Sequence, residues 1–174
     1  MGLFDKIKGP VFYKQDSEAE RQLEALLNLK ETASEKIADI IDQAIRYVEA
    51  GIAGEKQVRF ELENSHIPMY VIHDLYLEHE GLTSQIDYLL ITRKRNFVIE
   101  CKNLYGNIEI NNSGDFIRTF GHGRNAKKEG IYSPITQNRR HLELIKKIRA
   151  EEKNALMQVL FEKNFFQIYR SVVV

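Results

Sequence analysis

Three charged side chains interrupt two runs that otherwise have the composition of buried β-strands. Asp87 lies in "QIDYLLIT", and Glu100 and Lys102 lie in "FVIECKN". Carboxylates are hard oxygen ligands suited to Mg²⁺, and a neighbouring ammonium group can orient a water molecule or offset phosphate charge. The three residue types together have the chemistry needed for metal-assisted hydrolysis of a phosphodiester.

The turn between the two strands decides whether these side chains meet. A hairpin that turns at residues 93–96 pairs Asp87 with Lys102 and places Glu100 diagonal to Asp87. Strand alternation then puts one set of side chains on the site face: Asp87, Val98, Glu100 and Lys102. It puts another set on the opposite face: Ile86, Tyr88, Leu90, Phe97, Ile99 and Cys101. The alternative is a structural ion pair between Asp87 and Lys102, with Glu100 in solvent.

Composition limits the class of protein. A chain of 174 residues with 43% hydrophobic residues can bury the core of one domain. It contains no apolar run long enough for a membrane span, and "MGLFDKIKGP" does not have the pattern of a signal peptide. Cys101 is the single cysteine, which excludes an internal disulfide and a multi-cysteine zinc site. We expect a cytoplasmic protein without redox chemistry.

Charge is unevenly distributed although the net charge is zero. Residues 16–49 carry a net charge of −5 and residues 118–149 a net charge of +7. Both segments are consistent with solvated helix faces, and the basic segment is also consistent with phosphate contacts.

The N-terminal part is predicted to be helical. Apolar residues between Asp16 and Ala50 recur at helical spacing, with Asp16 or Ser17 as the cap and Gly51 as the end or a bend. A second helix is predicted from Gly54 to Asn64.

From Met69 the period changes to that of strands. The strands are predicted in "YVIHDLYLE", "QIDYLLIT", "FVIECKN" and "NIEI", followed by a hairpin at "NNSGD" and a loop at "GHGRNAKKEG". Ser133 and Pro134 predict the start of a helix, a short helix follows at 154–161, and a last strand starts near Gln167. The final strand stops inside its apolar run, so we expect a domain truncated at its C-terminus.

Four short motifs carry a family resemblance. They are "GIAGE" at 51–55, "QID" at 85–87, "IECKN" at 99–103 with Gly106 just after, and "SPITQN" at 133–138. In this order they resemble the nuclease-related domain (NERD), a branch of the PD-(D/E)xK nuclease superfamily. The resemblance covers residues 51–174 and leaves residues 1–50 as an N-terminal helical extension. It implies an α/β restriction-endonuclease-like fold, with a mixed central sheet flanked by helices.

The resemblance also implies a site. Carried over residue by residue, the catalytic set is Glu55, Asp87, Glu100, Lys102 and Gln137, with Asp87, Glu100 and Glu55 as ligands of Mg²⁺ or Mn²⁺. Four basic residues that follow Gln137 on the same helix are expected to contact nucleic acid: Arg139, Arg140, Lys146 and Lys147. The five histidines, residues 66, 73, 79, 122 and 141, lack metal-ligand spacing and are not expected to be ligands.

These features predict a Mg²⁺-dependent nuclease that acts on DNA. The alternative is a catalytically inactive module that keeps the fold and binds nucleic acid or protein. A protein partner, or self-association, through the Asp16–Ala50 helix is compatible with either function.

Overall fold

The computed structural model of the chain describes residues 2, 4–14, 17–104, 106–121, 123 and 126–174. Two β-sheets and four helices make up this part of the chain. The elements in chain order are β1 (Pro10–Lys14), α1 (Glu18–Glu31), α2 (Glu35–Glu63), β2 (Met69–His79), β3 (Leu82–Thr92), β4 (Asn96–Glu100), β5 (Asn107–Ile110), β6 (Phe116–Phe120), β7 (Lys127–Ile131), α3 (Pro134–Glu151), α4 (Ala155–Ile168) and β8 (Tyr169–Val173).

The larger sheet is mixed and has the strand order β1-β2-β3-β4-β8. Strands β2, β3 and β4 form an antiparallel meander, while β1 and β8 pair in parallel at the two edges. Helix α2 covers one face, where Val58 and Leu62 pack against Val71 and Tyr88. Helices α3 and α4 cover the other face. Their Leu142, Ile145 and Phe165 pack there against Ile86 and Val98. This architecture confirms the predicted mixed sheet flanked by helices.

The N-terminal segment differs in detail from the prediction. It begins with a strand that the sequence did not predict, because β1 joins the sheet beside β2. The chain then breaks at Thr32–Ser34, where Ser34 takes the extended backbone of a helix N-cap, rather than at Gly51. Helix α2 continues through Gly51 and Gly54, so the two predicted helices on either side of them are one helix. The predicted cap residue Asp16 lies outside the described residues.

Helix α1 buries none of its residues. Exposed apolar side chains occur on both helices of this segment: Leu27, Leu29, Ile37 and Ile40. That a partner covers this surface stays a prediction. In the part of the chain that is described, no helix is both long enough and apolar enough to cross a membrane.

The strands predicted from β2 to β6 all form, but β4 ends at Glu100, so Lys102 lies after the strand and not within it as predicted. The hairpin at "NNSGD" is confirmed by the pairing of β5 with β6. The segment predicted as a loop after β6 instead forms β7 from Lys127. Ser133 caps α3 by accepting a hydrogen bond from the Thr136 backbone N–H. Helix α4 is longer than predicted and continues to Ile168, directly before β8.

The β3–β4 turn is shorter than predicted, and this changes the register. Ile91 pairs with Asn96, and Thr92 N–H donates to the Arg95 carbonyl, so only residues 93 and 94 form the loop. The pairing is shifted by two residues from the predicted one. Extending it by one pair puts Asp87 opposite Glu100 instead of Lys102. A shift of two residues preserves the faces of a strand, so the two carboxylates still converge.

In the middle of β2 and β3 the alternation of side chains between the two faces of the sheet is interrupted. His73 and Tyr88 contact Glu55 on the α2 side, whereas Leu75 and Ile86 pack on the α3 side. Asp74, between the two β2 residues, has a φ of 52°, a left-handed conformation in which Asp and Asn are enriched among non-glycine residues. Regular alternation therefore gave the wrong face for Ile86.

A network around Asp74 holds this irregular backbone. Its carboxylate accepts hydrogen bonds from Gln85 Nε2 and from the Glu18 backbone N–H, the latter at 2.8 Å, and pairs with Lys14. Burial opposes ionisation, but these donors hold the pKa of Asp74 below its ordinary value. The distorted strand centre is thus tied to β1 and to the start of α1.

The two glycines of α2 give a matched test of how this helix packs. An added Cβ at Gly51 meets nothing within 4 Å, whereas one at Gly54 lies 2.6 Å from Asn103 Cβ. We expect Gly51→Ala to stabilise the fold by roughly 0.5–1 kcal/mol through helix propensity. Gly54→Ala should destabilise it by about 1–3 kcal/mol through overpacking. Urea unfolding of both variants measures this, and equal stability would contradict the close approach of α2 to residue 103.

Candidate active site

Glu100 is the most deeply buried carboxylate of the site, with no exposed surface. It ends β4, where its Oε2 lies 3.1 Å from His141 Nε2 of α3 and its Oε1 lies 2.5 Å from Lys102 Nζ. Both oxygens of this carboxylate therefore have a side-chain partner, one an imidazole nitrogen and the other an ammonium group. A buried carboxylate is costly without such partners, so His141 and Lys102 together compensate the burial of Glu100.

His141 links Glu100 to Ser84. Because an ionised carboxylate only accepts hydrogen bonds, His141 Nε2 carries the proton. In a neutral imidazole Nδ1 then accepts from the Ser84 hydroxyl, which contacts it. Serine and histidine are both buried, at 8% and 7% exposure. The pair fixes the orientation of the Glu100 carboxylate from the α3 side.

Asp87 lies beside Glu100 in a region of crowded negative charge. Its Oδ2 accepts a 2.6 Å hydrogen bond from the Cys101 backbone N–H. Burial first, and then the charges of Glu100 and Glu55, raise the pKa of Asp87 to about 7; the Cys101 N–H and the Lys102 ammonium oppose the rise. The protein groups around Asp87 therefore do not fully compensate the negative charge of its ionised form.

Glu55 approaches the same region from α2. Its Oε2 lies 2.8 Å from His73 Nε2 of β2, and its backbone carbonyl accepts a hydrogen bond from the Tyr88 hydroxyl. The His73 ring also contacts the Tyr88 ring, with centroids 4.6 Å apart. These contacts anchor the middle of α2 over the point where β2 and β3 exchange faces.

Lys102 follows β4 on a short extended segment. Its backbone N–H donates to the Val174 carbonyl, and the Val174 N–H donates to the Glu100 carbonyl, so β8 fixes this segment. The Lys102 side chain is 29% exposed, which leaves its ammonium accessible from solvent. Cys101, between the two, packs into the core, and burial raises the pKa of its thiol to about 12. It is an inert core residue, not a nucleophile.

Gln137 lies one turn before His141 on α3. It lines a cavity of about 720 Å³ together with His141 and Ser84, rather than contacting Glu100 directly. The four predicted nucleic-acid residues divide between two sides of the helix. Arg140 and Lys147 line the same cavity as Gln137, whereas Arg139 lines a depression against α4 and Lys146 lies over the Phe166 ring there.

A comparison with protein families now bears on this geometry. The family model of the nuclease-related domain matches residues 50–174. The chain belongs to the nuclease-related domain family. The match confirms the resemblance of the four motifs and begins one residue before the predicted start. Searches of curated proteins and of solved structures find no match.

The family implies a divalent metal ion, and the donor set fits one. The charges of Glu100 and Glu55 both act on Asp87, so three carboxylates share one region. Lys102 lies 2.5 Å from Glu100 and lowers the pKa of Asp87, but burial and the two neighbouring carboxylates outweigh its effect. Carboxylate oxygens of this kind are the ligands that Mg²⁺ and Mn²⁺ prefer.

A different group satisfies a simple distance criterion for metal ligands. Among the described residues, His79, Glu80 and Glu151 have ligand atoms within 4.8 Å of one another, at the β2–β3 turn and the end of α3. Glu80 pairs with Lys147 and His79 lies 3.0 Å from Glu151, so ion pairs account for this exposed group. It is not the site that the sequence motifs predict.

Sequence reasoning did not anticipate two histidines. His73 and His141 each contact a predicted site carboxylate, although neither was expected to be a metal ligand. They come from β2 and α3, far from their partners in sequence, so spacing gives no signal for them. Their role in the structure is to hold the carboxylates. His122 lies outside the described residues.

The raised pKa of Asp87 predicts a pH-dependent stability. Between the ordinary value of 3.8 and about 7, the folded protein keeps a proton that the unfolded chain releases. Unfolding free energy should therefore fall as pH rises through this window. Asp87→Asn removes the ionisation, so we expect the variant to gain stability over the wild type as pH increases, reaching about 4 kcal/mol above neutral pH.

The measurement is urea unfolding of both proteins with a chelator, from about pH 4 to about pH 8. The difference in unfolding free energy between the two proteins reports the ionisation of Asp87, because both proteins contain all the other titrating groups. A difference that stays constant across this range would contradict the raised pKa.

Proposed function

We propose that this nuclease-related domain is a metal-dependent nuclease that hydrolyses phosphodiester bonds in DNA. The observation that supports this most strongly is that Asp87 is buried close to the carboxylates of Glu100 and Glu55, which raise its pKa, with Lys102 beside Glu100. A network built only for stability pairs a buried carboxylate with a cation, whereas the ammonium of Lys102 lies 2.5 Å from Glu100 and Asp87 is held by the Cys101 backbone N–H.

The carboxylates of Asp87 and Glu100, with Glu55 beside them, would hold Mg²⁺ or Mn²⁺. When bound, such an ion neutralises charge on the phosphate and acidifies its water ligands. His141 and Ser84 keep the Glu100 carboxylate in one orientation, and the Cys101 N–H does the same for Asp87. These contacts preorganise the ligand atoms on rigid elements, as precise sites require.

Lys102 would act on the water and the phosphate. Its ammonium group can orient the attacking water and offset charge that develops on the phosphate oxygens. A pairing with Asp87 was expected as the structural alternative, but its ion-pair partner is Glu100. Gln137 extends the site toward the neighbouring cavity, and Arg140 and Lys147, which line that cavity, can contact the bound strand.

Metal binding tests the first step of this proposal. We expect Mg²⁺ or Mn²⁺ to bind the wild type in a calorimetric titration, and Asp87→Asn combined with Glu100→Gln to abolish that binding. The matched control is Glu80→Gln combined with Glu151→Gln, which removes the other carboxylate group while changing the same formal charge. If only the control variant lost metal binding, the metal site would lie at the β2–β3 turn and the proposal would be contradicted.

Lys102→Ala separates an enzyme from an inactive module with the same fold. In the nuclease, turnover on DNA should fall on the order of 100-fold or more while substrate affinity stays close to wild type. The reason is that the lost interaction with the phosphate forms only as water attacks it. Turnover is measured well below the melting temperature of the variant, because Glu100 loses its ion-pair partner in either case. Lys94→Ala, in the exposed β3–β4 turn, removes the same charge away from the site and should leave turnover unchanged.

The inactive module predicts a loss of stability in Lys102→Ala and no turnover in the wild type. Lys102 would then serve only to compensate the buried Glu100, and its truncation would cost about 3–5 kcal/mol of stability. That loss, together with a wild type that cleaves neither single-stranded nor duplex DNA with Mg²⁺ or Mn²⁺, would overturn the nuclease proposal.

A further inference from the structure

A cavity of about 720 Å³ beside α3 adjoins the candidate active site. It lies between the start of β3 and α3, and Ser84 and His141 form the wall that it shares with the site. His141 reaches Glu100 through Nε2, so one imidazole ring separates the cavity from the buried carboxylate. A group bound there would lie next to a phosphate at the site. The volume is within the range typical of small-molecule pockets, about 300–1,000 Å³.

The walls suit a flat aromatic ring. Leu82 and Leu144 supply apolar surface, and Tyr132, whose side chain is 51% exposed, supplies an aromatic face. The Arg140 guanidinium lies 5.2 Å from the Tyr132 ring centroid, so one plane of the cavity is already a stack of an aromatic and a cation. Bases of nucleic acids stack on such platforms, and the amide of Gln137 can pair with a base edge.

Charge in the cavity favours the neutral part of a nucleotide. Arg140 and Lys147 line it, but Glu143 lines it too, and Glu80 pairs with Lys147. The four charges balance, so the cavity does not have the positive potential of a dedicated phosphate pocket. Its apolar and aromatic surface is then free to bind an uncharged base.

We propose that this cavity binds an unpaired nucleobase next to the scissile phosphate, so that the substrate is single-stranded DNA or a single-stranded end; the proposal rests on the proposed nuclease function. In a duplex, a base is stacked on both faces and paired along its edge, and it enters a cavity only after unstacking and unpairing. A single strand does not incur that cost.

One residue before α3 and one residue on it provide the two variants for the test. Tyr132, which precedes the helix, lines the cavity, whereas Arg139 of α3 lines the depression against α4. Tyr132→Leu keeps an apolar side chain and removes the aromatic face. Arg139→Ala removes a charge that can meet phosphate but lies outside the cavity.

The probes are two fluorescein-labelled strands of equal length and charge, oligothymidylate and a fully abasic phosphodeoxyribose strand. Binding is measured by fluorescence anisotropy with the full chain carrying Asp87→Asn, so that no cleavage occurs during the titration. We expect the strand with bases to bind about 5- to 150-fold more tightly, the range for one stacked base. Tyr132→Leu should remove this difference, and Arg139→Ala should lower both affinities alike or neither.

An unchanged difference in Tyr132→Leu, with a melting temperature equal to that of the parent protein, would overturn the cavity proposal. So would equal affinity of the parent for the two strands. Cleavage by the wild type is assayed separately. Cleavage without the Tyr132 effect leaves the nuclease function standing and rejects the cavity, whereas the Tyr132 effect without cleavage rejects the nuclease function and supports the cavity as a base-binding site.

Discussion

The interaction on which the site depends is the burial of the Glu100 carboxylate at the end of β4. A buried charge is costly, and here three parts of the chain meet it. Helix α3 supplies His141, the segment after β4 supplies Lys102, and Val174 fixes the backbone that links Glu100 to Lys102. Each of these elements must dock before the carboxylate can be buried.

The second constraint is the exchange of faces at Asp74. With Asp74 in the left-handed conformation, one half of β2 and β3 packs toward α2 and the other half toward α3, and Asp87 lies close to Glu55 of α2 as well as to Glu100 of β4. The N-terminal segment supports this irregularity through Lys14 and the backbone of Glu18, although it lies outside the matched family region.

Sequence reasoning predicted the elements well because hydrophobic period is a local property. It predicted the β3–β4 pairing two residues out of register, since a two-residue and a four-residue turn at "RKRN" are equally compatible with the flanking strands. The error was harmless for Asp87 and Glu100 because an even shift keeps both on one face. The helix break at Thr32–Ser34 and the two histidine contacts depend on tertiary packing, and local pattern carries no information on them.

Two aspartates on neighbouring strands show how environment assigns different roles to one residue type. Asp74 receives donors from Gln85, Glu18 and Lys14, which hold its pKa below the ordinary value despite burial. Asp87 receives one backbone donor and faces Glu100 and Glu55, and its pKa rises to about 7. A carboxylate that the protein satisfies stabilises the fold, whereas one that it leaves uncompensated requires a charge from outside. Asp74 therefore shapes the sheet, whereas Asp87 is the carboxylate that the proposed metal ion would compensate.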